Sequence, residues 1–359
     1  MADGLEGVIA AETEMSLVDG NAGRLVIRGH DVEEFADGVP FEEMIVLLLG
    51  DKLDDLPAPP ALRLALGRAR VEAFARIAAM PGLGEREPMD AMRAALAQLP
   101  DGSDAATALL LLATAAVMTA YAARVDQGLD PIAPDATADH AADMLRMLGV
   151  QADPDRAAAL SAYLAVVSDH GLNASTFTAR VVASTRAGLT SATTAAAGAL
   201  KGPLHGGAPG PVIDMLDAIG SPERAEPWIM AALDRGERLM GFGHRIYRVR
   251  DPRADTLKRV IAMRLRGGST KRMALAEAVE ATALSTLRQR KPDRQLDTNV
   301  EFYTALLLEA LGFPPAVFTC VFTAGRATGW IGHALEQQAS GRLIRPESRY
   351  VGPMPSLAA

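Results

Sequence analysis

The 359-residue chain contains one cysteine, Cys320. A single thiol excludes an intrachain disulfide and any cysteine-rich metal site, and it suits a reducing, cytoplasmic setting. Aromatic residues make up only 4% of the sequence. So few rings leave little to stack on nucleobases, and no recognised binding motif compensates, so no nucleic-acid partner is expected. The opening Met-Ala-Asp-Gly lacks a basic region followed by an apolar core, so no signal peptide is expected. Without secretion, the glycosylation sequon Asn173-Ala-Ser175 carries no meaning. Internal repeats and low-complexity linkers are also absent.

What the chain does have is a 49% apolar content led by alanine, leucine and methionine, so helices should carry most of the fold. Its length allows two or three domains' worth of core. One stretch, 105–123, has no charged residue and approaches the roughly 20 residues of a bilayer span. It ends at Arg124 and Asp126 without aromatic or basic anchors, so a helix buried on all sides is expected, and no membrane partner. The net charge of −8 is unevenly spread: from His244 to Arg294, fourteen Lys and Arg face five Asp and Glu, giving +9 and leaving −17 elsewhere. Such a segment is either a solvated helical face or a basic surface that attracts a phosphate-bearing small molecule.

Along the chain, Val8-Ile9, the turn at Asp19-Gly20 and Leu25–Ile27 read as short strands joined by tight turns. Helical periodicity then predicts helices from Phe41 to Gly50 and near 60–80, 88–99, 104–124, 136–148 and 154–168. After Pro209 further helices are predicted up to Gly220, from Pro222 towards Gly236, and over 253–265, 271–289, 299–312 and 316–339. Ser221 stands at an N-cap position before Pro222. Gly267-Gly268 and Lys291-Pro292 mark exposed connections. The glycine-rich turn at 205–210 separates two helical runs and is a candidate hinge.

Lys201-Gly-Pro-Leu-His205-Gly-Gly-Ala-Pro209 sets a histidine among glycines and prolines, where the backbone can approach a ligand closely and its direction is fixed. An ordinary helix-ending turn would read the same way. Only six histidines exist. His170 lies in the polar run 168–175 and His244 in Gly241-Phe-Gly-His-Arg-Ile-Tyr-Arg248-Val-Arg-Asp-Pro-Arg253. His30 and His140 are expected at the surface, and His333 packed in or capping a helix. None shows the spacing of a zinc module, so no metal is expected. Gly241-x-Gly243 lacks the third glycine and preceding strand of a dinucleotide fold. It offers backbone amides beside a histidine and arginines, a pattern that suits carboxylates and other anions.

Glu301, in Thr298-Asn-Val-Glu-Phe-Tyr303, is either a glutamate satisfying a helix N-terminus or a carboxylate made more basic by partial burial. Arg326 stands in an apolar helix and Arg345-Pro346 in a C-terminal loop. A buried arginine needs an anion, be it a ligand or a structural carboxylate.

Taken together these motifs resemble the citrate synthase family, including its 2-methylcitrate synthase relatives. The resemblance runs through Gly4–Val8, Asp19–Leu25, Asp169–Phe177, Lys201–Pro209, Gly241–Arg253, Asn299–Tyr303, Arg326 and Arg345-Pro346, and so covers almost the whole chain. It implies a mainly α-helical homodimer with short N-terminal strands. A large domain of residues 1–208 and 309–359 would carry a smaller, mobile domain of residues 209–308. The implied reaction condenses acetyl-CoA with oxaloacetate and hydrolyses the product to citrate and CoA, with acetyl-CoA as co-substrate and no other cofactor. His205 would then stabilise the acetyl-CoA enol, His244 would polarise the oxaloacetate ketone, and Glu301 would be the base. His170, Arg253 and Arg326 would hold the oxaloacetate carboxylates, with Arg345 reaching in from the partner subunit. Leu239, Met240, Gly241, Phe242 and Gly243 would line the CoA adenine pocket, and Arg248 would meet CoA phosphates.

Most family members have aspartate where this chain has Glu301, although some shorter bacterial members share Asn-Val-Glu. The extra methylene bears on efficiency and on the acyl donor, because a placement error near 1 Å can cost about 10²-fold in rate. Two alternatives follow: a 2-methylcitrate synthase using propionyl-CoA, and a weakly catalytic paralogue that binds oxaloacetate or CoA.

Overall fold

The structure, a computed structural model, describes residues 4–355 except 6, 207, 208, 245 and 266–269. A small antiparallel sheet opens the chain: β1 (Ser16–Asp19) pairs with β2 (Arg24–Ile27), and β2 with β3 (His30–Asp31). Asp19 closes the first turn by accepting from the backbone N–H groups of Asn21 (3.0 Å) and Ala22 (2.9 Å). Leu25 and Ile27 point into the core. Val8 and Ile9 do not form the expected strand. Both are exposed, and no strand among the described residues lies beside them to complete a ladder.

The rest of the chain is helical: α1 (Phe41–Leu49), α2 (Pro59–Ala78), α3 (Pro88–Ala97), α4 (Ala105–Asp126), α5 (His140–Leu148), α6 (Pro154–Val166), α7 (Ala174–Ala183), α8 (Leu189–Leu200), α9 (Pro209–Ile219), α10 (Ala225–Asp234), α11 (Pro252–Arg264), α12 (Thr270–Arg290), α13 (Val300–Ala310) and α14 (Phe318–Ser340). Short 3₁₀ turns fill several connections. Proline in the first turn starts α2, α3, α6 and α11, where its missing N–H breaks no helical bond. Asp104, Asp153, Asn173 and Asn299 cap α4, α6, α7 and α13 through side-chain oxygens. Ser221 occupies its expected position but makes no capping bond; Pro222–Arg224 forms a 3₁₀ turn ahead of α10. Two expected connections, Gly267-Gly268 and part of the 205–210 hinge, lie outside the described residues.

Helix α4 is apolar on every side because α2, α3, α5, α8 and α14 pack around it. It is long and apolar enough to cross a membrane, yet 83% of that window is buried within the protein. Helix α14 also runs through the interior, against α4, α6, α7 and α8. It buries Arg326, Trp330 and His333, three residues that an apolar helix accepts only where polar partners face them. The charge excess of 244–294 is largely matched by carboxylates: Arg259 pairs with Asp37, Arg264 with Asp155, Arg272 with Asp217 and Glu309, and Arg290 with Asp234. Much of this segment therefore ties elements together instead of forming a free basic surface.

His140 corrects the sequence reading. It is completely buried at the start of α5, stacked on Phe41 with ring centroids 4.8 Å apart. The reason lies in Arg70, also fully buried, which binds Asp143 (2.7 Å), the carbonyls of Asp135 (3.0 Å) and Ala138 (2.7 Å), and approaches His140 Nδ1 (3.3 Å). Burial and the Arg70 charge hold the His140 imidazole well below its ordinary pKa. His30 is exposed, as expected. Removing one member of a buried ion pair strands the other charge and costs roughly 3–5 kcal/mol. Arg70→Ala should therefore lower the urea midpoint strongly; an unchanged midpoint would show that Asp143 is satisfied without it.

Candidate active site

Three chain segments assemble the site. The first follows α6: Ser168–Gly171 turns at Gly171, whose φ of +57° favours glycine. Asn173 then caps α7 by accepting from the Thr176 N–H at 3.0 Å. In the loop, Asp169 is fully buried. Burial pushes its pKa up, but His333, Ser16 and Arg326 outweigh that and hold it below the usual carboxylate range. Ser16 donates to it at 2.5 Å and His333 Nε2 lies 3.1 Å away, which anchors the neighbouring His170.

The second segment is the turn after α8. Its bonds run from His205 N–H to Gly202 (2.9 Å) and from Gly206 N–H to Leu200 (3.0 Å). A Cβ on Gly206 would sit 2.7 Å from the Leu200 carbonyl oxygen, so only glycine fits. His205 Nε2 faces the N-terminus of α7, where the Ser175 N–H donates to it at 3.3 Å and the Ser175 hydroxyl lies at 2.8 Å. Trp330 Nε1–H donates to that hydroxyl at 3.0 Å. An Nε2 that accepts an N–H must present its lone pair, so the proton of neutral His205 resides on Nδ1.

The third segment joins residues 239–253 to 297–301. Asn299 N–H donates to the Gly241 carbonyl (2.9 Å), Asn299 Nδ2 to that of Gly243 (2.8 Å), and Gly243 N–H to that of Asp297 (2.7 Å). Gly241 takes a φ of +83°, and a Cβ there would lie 2.8 Å from Phe302 Cβ. His244 Nδ1 accepts from the N–H groups of Ile246 (3.0 Å) and Tyr247 (3.1 Å), which places its proton on Nε2. That nitrogen lies 3.4 Å from Arg253 Nη2. Two donors facing one another at this distance want a shared acceptor. Arg253, in the first turn of α11, is buried and held by Asp251 at 3.0 Å and 2.8 Å. Asp251 also accepts from the Val300 N–H at 3.1 Å, which brings the start of α13, and Glu301, alongside.

The electrostatics follow from burial. His205 and His244 fall to about 4, chiefly through desolvation, with Arg326 pressing on His205 and Arg253 on His244. His170 is driven well below its ordinary value by burial, Arg253 and Arg326. Glu301 is raised to about 7 by burial, with Asp251 pushing it up and Arg253 opposing. Burial lowers Arg326 to about 10, although Asp169 favours its charge. Arg326 Nε donates to the Val167 carbonyl at 2.5 Å, and its buried Nη2 has no protein partner. Of the two partners open to a buried arginine, a ligand anion or a structural carboxylate, no structural carboxylate is bonded to that nitrogen.

The structure thus gathers His170, His205, His244, Arg253, Glu301 and Arg326. Leu239 and Gly241 are buried beside them, with Met240, Phe242 and Gly243 half-buried; the Phe242 ring packs 5.4 Å from that of Phe302. Arg248 is exposed, its N–H bonded to Gly20 at 2.8 Å. Arg345 is exposed in the C-terminal segment and pairs with none of the other site residues of its own chain. The sequence reading missed Tyr247, whose hydroxyl lies 3.1 Å from His170 Nε2, as well as Ser175 and Asp251. For Ser175 and Asp251, a position within a capped helix start was the available signal. Among the described residues, no cluster of three or more His, Cys, Asp and Glu could hold a metal ion.

Neutral imidazoles with fixed donors, a carboxylate raised towards neutrality and two buried guanidinium groups define an enzyme for acid–base chemistry on an anionic substrate. The chain belongs to the citrate synthase family: residues 4–347 match the family profile described as citrate synthase, C-terminal domain. It is 41% identical to the putative citrate synthase 2 of Mycobacterium tuberculosis, over 98% of this chain and 93% of that protein. It is 35% identical to the 2-methylcitrate synthase of the same organism, over 97% and 90%. The citrate synthase of the archaeon Thermoplasma acidophilum, solved as a ternary complex with carboxymethyl coenzyme A and oxaloacetate, superposes with a TM-score of 0.86 at 28% identity, covering 100% of this chain and 98% of that one.

A carboxyl whose folded pKa of about 7 exceeds its ordinary 4.5 adds stability below pH 4.5 and loses it as pH rises through 7. Glu301→Gln, which cannot ionise, should therefore melt a few degrees above the native protein at pH 8, with the gap closing by pH 5. A melting temperature that falls on substitution at pH 8 would contradict a raised Glu301.

Proposed function

We propose that the protein is a citrate synthase, which condenses acetyl-CoA with oxaloacetate and hydrolyses the citryl thioester to citrate and CoA. The observation that carries this reading is the pair of oriented donors, His205 Nδ1–H and His244 Nε2–H, in one site with the raised Glu301 carboxylate. A thioester methyl proton is weakly acidic, so its removal needs a base together with a donor where enolate charge develops. Glu301 takes the proton and His205 donates to the thioester oxygen. The resulting carbon nucleophile attacks the oxaloacetate ketone, which His244 polarises. His170, Arg253 and Arg326 hold the carboxylates, and the free Nη2 of Arg326 is a donor in want of such an anion. Arg345 of a second copy would complete the set in a homodimer.

The backbone of Leu239, Met240, Gly241, Phe242 and Gly243 would receive the adenine, and exposed Arg248 a CoA phosphate. Closure of a smaller domain, residues 209–308, over residues 1–208 and 309–359 would exclude water during enolisation. Acetyl-CoA is the co-substrate, and no further cofactor enters the scheme.

The acyl donor is tested by comparing kcat/KM for acetyl-CoA and propionyl-CoA. One methyl group is worth roughly 1–3 kcal/mol of selectivity. Acetyl-CoA should be preferred about tenfold or more; a reversed preference would make the protein a 2-methylcitrate synthase. The kcat/KM should rise with pH through about 7 as Glu301 of the free enzyme ionises, and His205→Ala and His244→Ala should each lower kcat about 10²- to 10⁴-fold. Binding of oxaloacetate and CoA without turnover would identify a catalytically weak paralogue instead.

A further inference from the structure

Behind the site lies a further buried carboxylate that the reaction scheme does not use. Glu280, on α12, is 5% exposed. Its Oε2 accepts from the Tyr303 hydroxyl at 2.5 Å and from Lys258 Nζ at 3.1 Å. Its Oε1 accepts from the Thr298 hydroxyl at 2.8 Å and lies 2.9 Å from Arg250 Nη1. Lys258 belongs to α11, and Arg250 to the loop that carries His244. Thr298 and Tyr303 stand on either side of Glu301 in the chain. Burial alone would raise the Glu280 pKa, but these four partners overcome it and bring the group below its ordinary value.

The arrangement acts on one element above all. Tyr303 follows Glu301 by two residues, which is about 200° around an α-helix, so the two side chains leave α13 on opposite faces. Thr298 lies just before the Asn299 cap and is bridged through its backbone to Phe242. A carboxylate that grips both Thr298 and Tyr303 therefore opposes rotation of the first turn of α13. Glu280, Thr298 and Tyr303 are all buried, so loss of either hydroxyl bond would leave a polar group unpaired, which stiffens the clamp.

We propose that Glu280 is a positioning residue for the condensation: by holding Thr298 and Tyr303 it fixes the rotation of the first turn of α13, and with it the place of the Glu301 carboxylate. The inference rests on the reading of Glu301 as the base. A glutamate has one more rotatable bond than an aspartate, so a base of this length gains more from a rigidly held backbone.

The test is a double-mutant cycle on the full chain, with CoA release from acetyl-CoA and oxaloacetate followed by a thiol reagent. Glu280→Gln should lower kcat about 10- to 100-fold while the oxaloacetate KM stays within about threefold. In the Glu301→Gln background the same substitution should change the residual kcat by less than about twofold, since the group it positions is gone. An equal fall in both backgrounds, an unchanged kcat, or a loss that appears in KM would each overturn the clamp. If Glu280→Gln does not fold, Tyr303→Phe removes one bond and keeps the packing. It should lower kcat about three- to tenfold, again only where Glu301 is present; no change in kcat would overturn the clamp. Turnover at the native rate by Glu301→Gln would remove the base assignment itself, and the clamp with it.

Discussion

The Asp251 carboxylate receives four hydrogen bonds: the Arg253 N–H and Nε on one oxygen, and Arg253 Nη2 and the Val300 N–H on the other. It is almost fully buried, so no water replaces any of them. This one group caps α11, fixes its arginine and draws the start of α13 against it. The consequence is that a guanidinium and a carboxylate with opposite roles lie side by side without neutralising one another. Asp251 holds Arg253 in place through its Nε and Nη2, and Glu301 remains close enough to feel both charges. Remove the Asp251 carboxylate and α11 loses its cap, Arg253 its anchor and α13 the bond that draws Val300 against them.

Around that frame the site is built from groups in their less charged forms. The helix N-terminus of α7 presents the Ser175 N–H to His205, and the turn after His244 presents two N–H groups to its Nδ1. Both contacts favour neutral imidazole, because an imidazolium has no lone pair to accept them. Burial works in the same direction. The positive charge that remains belongs to two arginines, one of which keeps a buried nitrogen without a partner. A site with this balance is electrostatically incomplete until an anion enters, and its donors are already aimed when it does. Preorganisation of this kind lowers a barrier because no dipole has to turn during the reaction.

Much of this was legible in the sequence, for definite reasons. Apolar periodicity placed α2, α3, α6 and α11 to within a residue or two, and the structure finds a proline in the first turn of each. Glycines 206 and 241 proved to have no room for a side chain, and Gly243 takes a φ of +86° that favours glycine. Other features were hidden because they depend on partners far along the chain. His140 looks like a surface residue until Arg70, seventy positions earlier, is folded against it. The basic run 244–294 looks like a free surface until Asp37, Asp155 and Asp217 are placed opposite it. Val8 and Ile9 have the local pattern of a strand but no neighbour to pair with.

Glu301 is where these strands meet. A helix N-terminus favours a carboxylate's charge, and Arg253 favours it further. Against them stand burial and the nearby Asp251, and the balance leaves the group near 7. A carboxylate with that pKa is more basic than an ordinary one, yet still largely ionised just above neutrality, the compromise that would suit the proposed general base. The additional methylene extends its reach by up to about 1.5 Å, one carbon–carbon bond. Such a change is tolerable only if the helix that carries it cannot drift. The cap from Asn299, the Asp251 bond to Val300 and the anchoring of Thr298 and Tyr303 all act within that single turn. On the proposed reading of Glu301 as the base, it is the rigidity of this turn that lets a glutamate serve where the side chain reaches further.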